Sequence, residues 1–236
     1  VCAYLNTNDF SDNSIRLSNN PRIYMDFAVG TDDLVTVYLN PTQKASNWLN
    51  ENSRLYVWQK HMMTHATQNL VSRGAAGKDS QIRGGSLIFV DDPKDEDIAY
   101  TWRLNRKIIH AFHDAVTEDG ATFIFLSIPH HVELLDGQWK AFEESVSGTK
   151  YEGKINRDYP QHQLMSIVTD HKIMHLFLAI PFAEHMSRLS PADPRYYTAY
   201  QSGTGHLNET GNLLMTNLFY EYIDKEEMIQ KLTERR

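Results

Sequence analysis

The tetrapeptide Phe123-Ile124-Phe125-Leu126 constrains this chain more than any other feature. A strand with one wet face alternates apolar and polar residues, whereas four consecutive large apolar side chains leave no face for solvent. Such a strand has to be covered on both sides, as in a parallel sheet flanked by helices. It sits in one of four short runs rich in β-branched and aromatic residues, residues 122–128. The others are Val1-Cys2-Ala3-Tyr4-Leu5, Ser86-Leu87-Ile88-Phe89-Val90 and residues 173–180. The longer segments between them show helical spacing. Within residues 97–116, Ile98, Trp102, Ile109, Phe112 and Val116 fall near one face. Asp95 and Glu96 suit the positive start of that helix, and Gly120 stops it just before the next strand. Strands alternating with helices of this length predict a parallel α/β layer fold.

Two stretches break the rhythm. Residues 22–29 and 34–39, joined by Gly30-Thr31-Asp32-Asp33, predict a β-hairpin insertion spanning about 21–40, lying against the main sheet. Residues 69–85, with Ser72-Arg73-Gly74-Ala75-Ala76-Gly77-Lys78, have the composition of a mobile loop. Residues 42–67 read as helical with a break near 50–53, and residues 209–236 as a last helix with Leu214, Leu218 and Tyr222 on one face. No repeat or low-complexity tract divides the chain, so residues 1–236 read as a single domain.

Charge and cysteine usage narrow the function. Twenty-three Lys and Arg against thirty Asp and Glu give a formal charge of −7, which repels phosphate backbones and argues against a general nucleic-acid binder. One cysteine, Cys2, excludes an internal disulfide framework and a cysteine-rich zinc module. The longest nearly apolar run, residues 173–182, is half the roughly twenty residues that a membrane span needs. The chain opens on Val1 inside a strand-like run, and a buried strand rarely starts at a first residue. We therefore expect an N-terminally incomplete domain; the alternative is an edge strand at a true mature terminus.

Ligands of open α/β sheets sit beyond the carboxyl ends of the strands. Beyond the first strand lie Asn8 and Asp9, and beyond the third run lie Pro129-His130-His131. Gly203-Thr204-Gly205-His206-Leu207-Asn208 precedes the last helix. A side-chain amide such as that of Asn8 can stabilise a developing oxyanion by roughly 3–4 kcal/mol, although Asn and Asp also make Asx turns and helix caps there. A loop histidine such as His206 suits a general base near neutral pH, or simply a surface hydrogen bond. His130 and His131 either shape a substrate pocket or belong to a solvated loop.

Together, Asn8-Asp9-Phe10 after an early strand and His206-Leu207-Asn208-x-x-Gly211 before the C-terminal helix resemble the SGNH (GDSL-type) hydrolase family. The similarity extends to the hairpin, the Ser53-Arg54-Leu55-Tyr56 helix and the strand ending Ser127-Ile128-Pro129. The resemblance implies a three-layer, flavodoxin-like parallel-sheet fold in which Val1–Leu5 stands as the third strand. It implies Asn8 as the oxyanion-hole asparagine and His206 as the catalytic histidine, with Asp9, His130 and His131 near the pocket. The nucleophilic serine of the family's Gly-Asp-Ser motif would lie upstream; Lys78-Asp79-Ser80 is a poor substitute because no strand precedes it. Two positions depart from the family: Gly203 replaces the aspartate three residues before the histidine, and Asn6 a glycine. Loss of the orienting acid typically lowers turnover by about 10⁴.

The implied activity is hydrolysis or transfer of acyl esters, with acylated carbohydrate as the expected substrate and no cofactor. The competing reading is an inactive subunit whose exposed edge at Val1 recruits a protein partner. Secretion or membrane anchoring is common in the family. His61/His65, His110/His113 and His171/His175 sit at helical spacings, but His61-Met62-Met63-Thr64-His65 lacks the glutamate of His-Glu-x-x-His, so no metal site is expected; a histidine metal site that holds zinc is the weakest of the three readings.

Overall fold

The structure, a computed structural model, describes residues 2–14, 16–17, 24–37, 45, 48–49, 52–56, 84–186 and 207–225. Among the described residues, three parallel strands form the central sheet in the order β1 (Cys2–Leu5), β4 (Ile124–Ile128), β5 (Met174–Phe177). Cys2 to Leu5 pair with Phe125 to Ile128, and Ile124 to Ser127 pair with Met174 to Phe177. The expectation from Phe123–Leu126 holds in detail. Phe125 packs into one apolar cluster with Tyr4, Phe10, Ile98, Trp102 and Ile167, whereas Leu126 packs into a second with Leu178 and Phe182. Successive side chains on a strand point to opposite faces, so the central strand is buried on both.

The first cluster lies under α1 (Asn6–Asp12), α2 (Glu96–Glu118) and α5 (Tyr159–Asp170); the second lies under α6 (Ala179–Met186) and α7 (Glu209–Lys225). α2 begins and ends where the sequence predicts. Asp95 accepts hydrogen bonds from the backbone N–H groups of Asp97 and Ile98, and Gly120 takes a left-handed φ of +73° as the chain turns into β4. Phe112 departs from the expected apolar face and remains 56% exposed. Leu214 and Leu218 of α7 meet the second cluster as expected.

Three expectations need correction or restriction. Ser86–Val90 is not a strand: Gly84–Phe89 form a 3₁₀ helix, and only Val90 makes an isolated antiparallel bridge, to Ile155. Leu87, Ile88, Phe89 and Val90 are all buried, and a continuous apolar run has no period that separates strand from buried helix. The hairpin exists as β2 (Tyr24–Phe27) and β3 (Leu34–Val37), but it docks on α2 rather than on the sheet. Tyr100 donates its hydroxyl to Asp26 and meets Phe27 edge-on at 5.7 Å, while the Arg103 guanidinium lies 4.8 Å above the Phe27 ring. Most of the expected 42–67 helix, nearly all of the 69–85 loop and residues 226–236 lie outside the described residues. Ser53 does interrupt the helix, and its Oγ accepts from the Tyr56 N–H at 3.3 Å.

One buried polar residue joins these elements. Asn105 is fully buried on α2, and its Oδ1 accepts from Tyr4 Oη at 3.2 Å and Asn13 Nδ2 at 3.0 Å. Its Nδ2 donates to the carbonyls of Phe10 at 3.2 Å and Thr101 at 2.9 Å. All four bonding positions of the amide are filled. Asn105→Ala strands the Tyr4 hydroxyl and the Phe10 carbonyl in the core, so we expect a loss of about 3 kcal/mol in unfolding free energy. Denaturant titration checks this, and a loss below about 1 kcal/mol would show that the amide is not what holds β1 to α2.

Candidate functional site

The carboxyl edge of the sheet gathers the candidates. Leu5 and Ile128, the last residues of β1 and β4, are partners in the ladder, so both chains leave the sheet side by side. β1 runs straight into α1, which places Asn8 in its first turn, three residues past the strand. Asn8 is thus a helical residue rather than part of a loop. Asp9, also in that first turn, is half-buried. Its charge reaches back along β1: burial first, and the Asp9 carboxylate second, push up both the Tyr4 hydroxyl and the Cys2 thiol. Cys2 therefore stays a thiol near neutral pH and is no activated nucleophile.

The exit from β4 is built more tightly. His130 caps the short helix α3 (His131–Leu134): the Val132 N–H donates to His130 Nδ1 at 3.4 Å, and the His130 N–H donates to Glu133 Oε1 at 2.7 Å. Such reciprocal capping usually falls to Ser or Thr with Glu three residues on. Arg157 locks the turn from outside, donating from Nε to the Glu133 carbonyl at 2.6 Å and pairing with Asp136, which opens α4 (Asp136–Val146). Glu133 and Arg157 escaped the sequence reading; the glutamate three residues after His130 was the signal available. The solvated-loop alternative is therefore wrong for His131, which is 9% exposed with its ring 3.9 Å from that of His130. Burial pushes the His131 imidazole down to about 4, so it is neutral at physiological pH.

His206 and Gly203 lie outside the described residues, as do His61, His65 and Ser80. The residue after His206 does not. Leu207 packs on the Leu126–Leu178–Phe182 cluster, which Ile128, Leu134 and Leu135 also join from the β4 exit. Asn208 then caps α7, its Oδ1 accepting from the Gly211 N–H at 2.9 Å, as its position before the helix implied. The sequence-spaced histidine pairs separate: His110 bonds through Nε2 to the Ile167 carbonyl, and His175 through Nδ1 to that of Ile173. His113 and His171 instead converge on Asp114 at the opposite edge of the sheet.

No family model, curated protein or solved structure matches the chain. No helix among the described residues is long and apolar enough to cross a membrane.

His131 gives the site a pH signature. A histidine whose folded-state pKa lies below its unfolded value binds fewer protons when folded. Its stabilising contribution is intact above about 6.5 and declines as pH falls toward about 4, totalling on the order of 3 kcal/mol. His131→Gln should lose less stability than the parent protein between pH 7 and 4, measured by denaturant titration at each pH. Parallel curves would show that His131 is protonated without penalty.

Proposed function

We propose that this domain is an SGNH-like serine ester hydrolase or acyltransferase acting on acyl esters, with acylated carbohydrate as the substrate class. The observation that carries the reading is the paired exit of β1 and β4. Leu5 and Ile128 end the ladder together, so Asn8 and the His130–His131 turn rise from the same edge, where α/β folds hold ligands. Leu207 supports the assignment of His206, because it anchors the chain one residue downstream to the cluster beneath the same edge. The strand order also suits it. A flavodoxin-like sheet runs 2-1-3-4-5, and β1-β4-β5 corresponds to its 3-4-5 half, with β1 presenting the edge on which the first two strands would pair.

In this mechanism a serine from upstream of Val1 attacks the acyl carbon. His206 takes the hydroxyl proton and returns it to the leaving alcohol; Asn8 donates its amide N–H to the oxyanion. A neutral His131 cannot compete for that proton near pH 7, and it adds no charge beside a neutral acyl ester. Gly203 leaves His206 without the usual orienting acid, which predicts a Ser–His dyad of modest turnover.

The test uses the protein together with its upstream segment. Fluorophosphonate labels it, and p-nitrophenyl acetate is turned over. His206→Ala lowers kcat by at least about 10³-fold. Asn8→Ala lowers it by roughly 10²–10³-fold with KM little changed. Unchanged turnover in His206→Ala removes that residue from the mechanism. Absence of both labelling and turnover leaves the inactive, partner-binding subunit as the better reading.

A further inference from the structure

At the amino-terminal edge of the sheet, far from the proposed ester chemistry, three side chains from two helices converge. His113 and Asp114 lie on the last turns of α2, and His171 follows α5 directly, two residues before Ile173 leads into β5. Asp114 Oδ1 accepts from His113 Nδ1 at 3.0 Å and from His171 Nε2 at 2.7 Å. One ligand atom from each residue lies within 4.8 Å of the others. We propose that His113, Asp114 and His171 bind a zinc-class divalent transition metal that braces α2 against α5.

The donor set fits that ion class. Imidazole nitrogen with carboxylate oxygen suits zinc and its neighbours, whereas calcium and magnesium need mainly oxygen ligands. Tetrahedral zinc with ligand bonds of 2.0–2.1 Å holds its donors about 3.3 Å apart. The two nitrogen–oxygen separations, 3.0 and 2.7 Å, open to that value by shifts of about 0.3 and 0.6 Å, which Asp114, 56% exposed in its side chain, has room to make. Three protein ligands leave the fourth position for water.

The surroundings are already organised to hold the imidazoles. His171 stacks on His110 at 4.2 Å with the rings 13° apart, and meets the His113 ring edge-on at 5.0 Å. His113 also packs edge-on against the buried Phe123 at 5.8 Å. His110 is committed elsewhere, its Nε2–H donating to the Ile167 carbonyl at 2.9 Å, so it supports His171 as a neutral ring and is no ligand. The nearby cation, Arg106, is neutralised by Asp170 and also reaches Ser166. Asp114 is the carboxylate that both imidazoles face. Helical spacing could not announce this arrangement, because His171 belongs to a different element from the other two ligands.

The experiment titrates the tag-free, chelator-treated chain with Zn²⁺ alone by calorimetry near pH 7.5, and with Co²⁺ by visible absorption. One equivalent binds, the cobalt spectrum shows the intense bands of four-coordination, and the thermal midpoint rises with Zn²⁺. His171→Gln keeps a donor to Asp114 and so preserves the fold, which circular dichroism verifies. Groups that merely support metal ligands are typically worth 10–100-fold in affinity, so loss of this ligand should weaken Zn²⁺ binding by more than about 100-fold. Asp114→Asn should do the same. Failure of the parent chain to bind one equivalent overturns the proposal, and so does unchanged affinity in His171→Gln. Loss of binding in a His61→Gln/His65→Gln double variant that retains the three ligands also overturns it. None of these readouts involves esterase turnover.

Discussion

The amide of Asn105 is the constraint on which the rest of the architecture depends. A fully buried Asn is costly unless each of its bonding positions is met, and here they are met by four different parts of the chain. The bonds reach a tyrosine of the sheet, the main chain of α1, the turn that follows it and the preceding turn of α2. Apolar packing alone tolerates sliding, but a four-way hydrogen-bonded hub has one geometry. It fixes α1 on α2, and through Tyr4 it fixes β1 at the same depth. Phe10, fully buried and 4.7 Å from the Trp102 ring, fills the space beside it. The first turn of α1, and with it the backbone of Asn8, inherits that rigidity.

A division of labour between the two sheet edges follows. At the carboxyl edge, the β4 exit is closed by a capping box, clamped by Arg157 and floored by a neutral imidazole. Glu133 and Arg157 are both held there by hydrogen bonds, so the turn has one geometry. At the amino edge, a carboxylate and imidazoles gather where helices of one layer end. That cluster ties the end of α2 to the end of α5 at the opposite end of the strands from the β4 exit.

How much of this was legible in the sequence depends on the range of each interaction. Local signals read well: the unbroken apolar Phe123–Leu126, the Asp95 cap, the Gly120 stop and the presence of the hairpin all rest on residues within a few positions of one another, although β2 ends at Phe27, which pairs with Leu34, rather than at Val29. The parallel sheet followed from burial on two faces. What failed depended on tertiary context. Ser86–Val90 has strand composition, yet full burial between helices made it a 3₁₀ segment. The hairpin docked where Tyr100 and Arg103 offered partners, which no pattern within residues 21–40 reveals. The candidate site was half legible. Strand-exit logic located Asn8 and the two histidines beyond β4. It did not foresee that His130 would serve as a helix cap, since imidazole is an uncommon capping group.

The bridge between Val90 and Ile155 has a consequence for how the molecule opens. Around it, Asp91 N–H bonds to the Lys154 carbonyl, Asn156 N–H bonds to that of Phe89, and Lys150 and Lys154 pair with Asp95 and Asp92. These contacts sew together two points of the chain more than fifty residues apart and turn everything between them into a closed circuit. That circuit contains α2, the central strand, the capped turn and α4. While the seam holds, any member that opens frees only a closed loop, so each such opening gains less entropy than it would in a chain with free ends. The capped turn beyond β4 and the helix carrying Asn105 therefore lie on one closed loop, and Asn8 lies outside it.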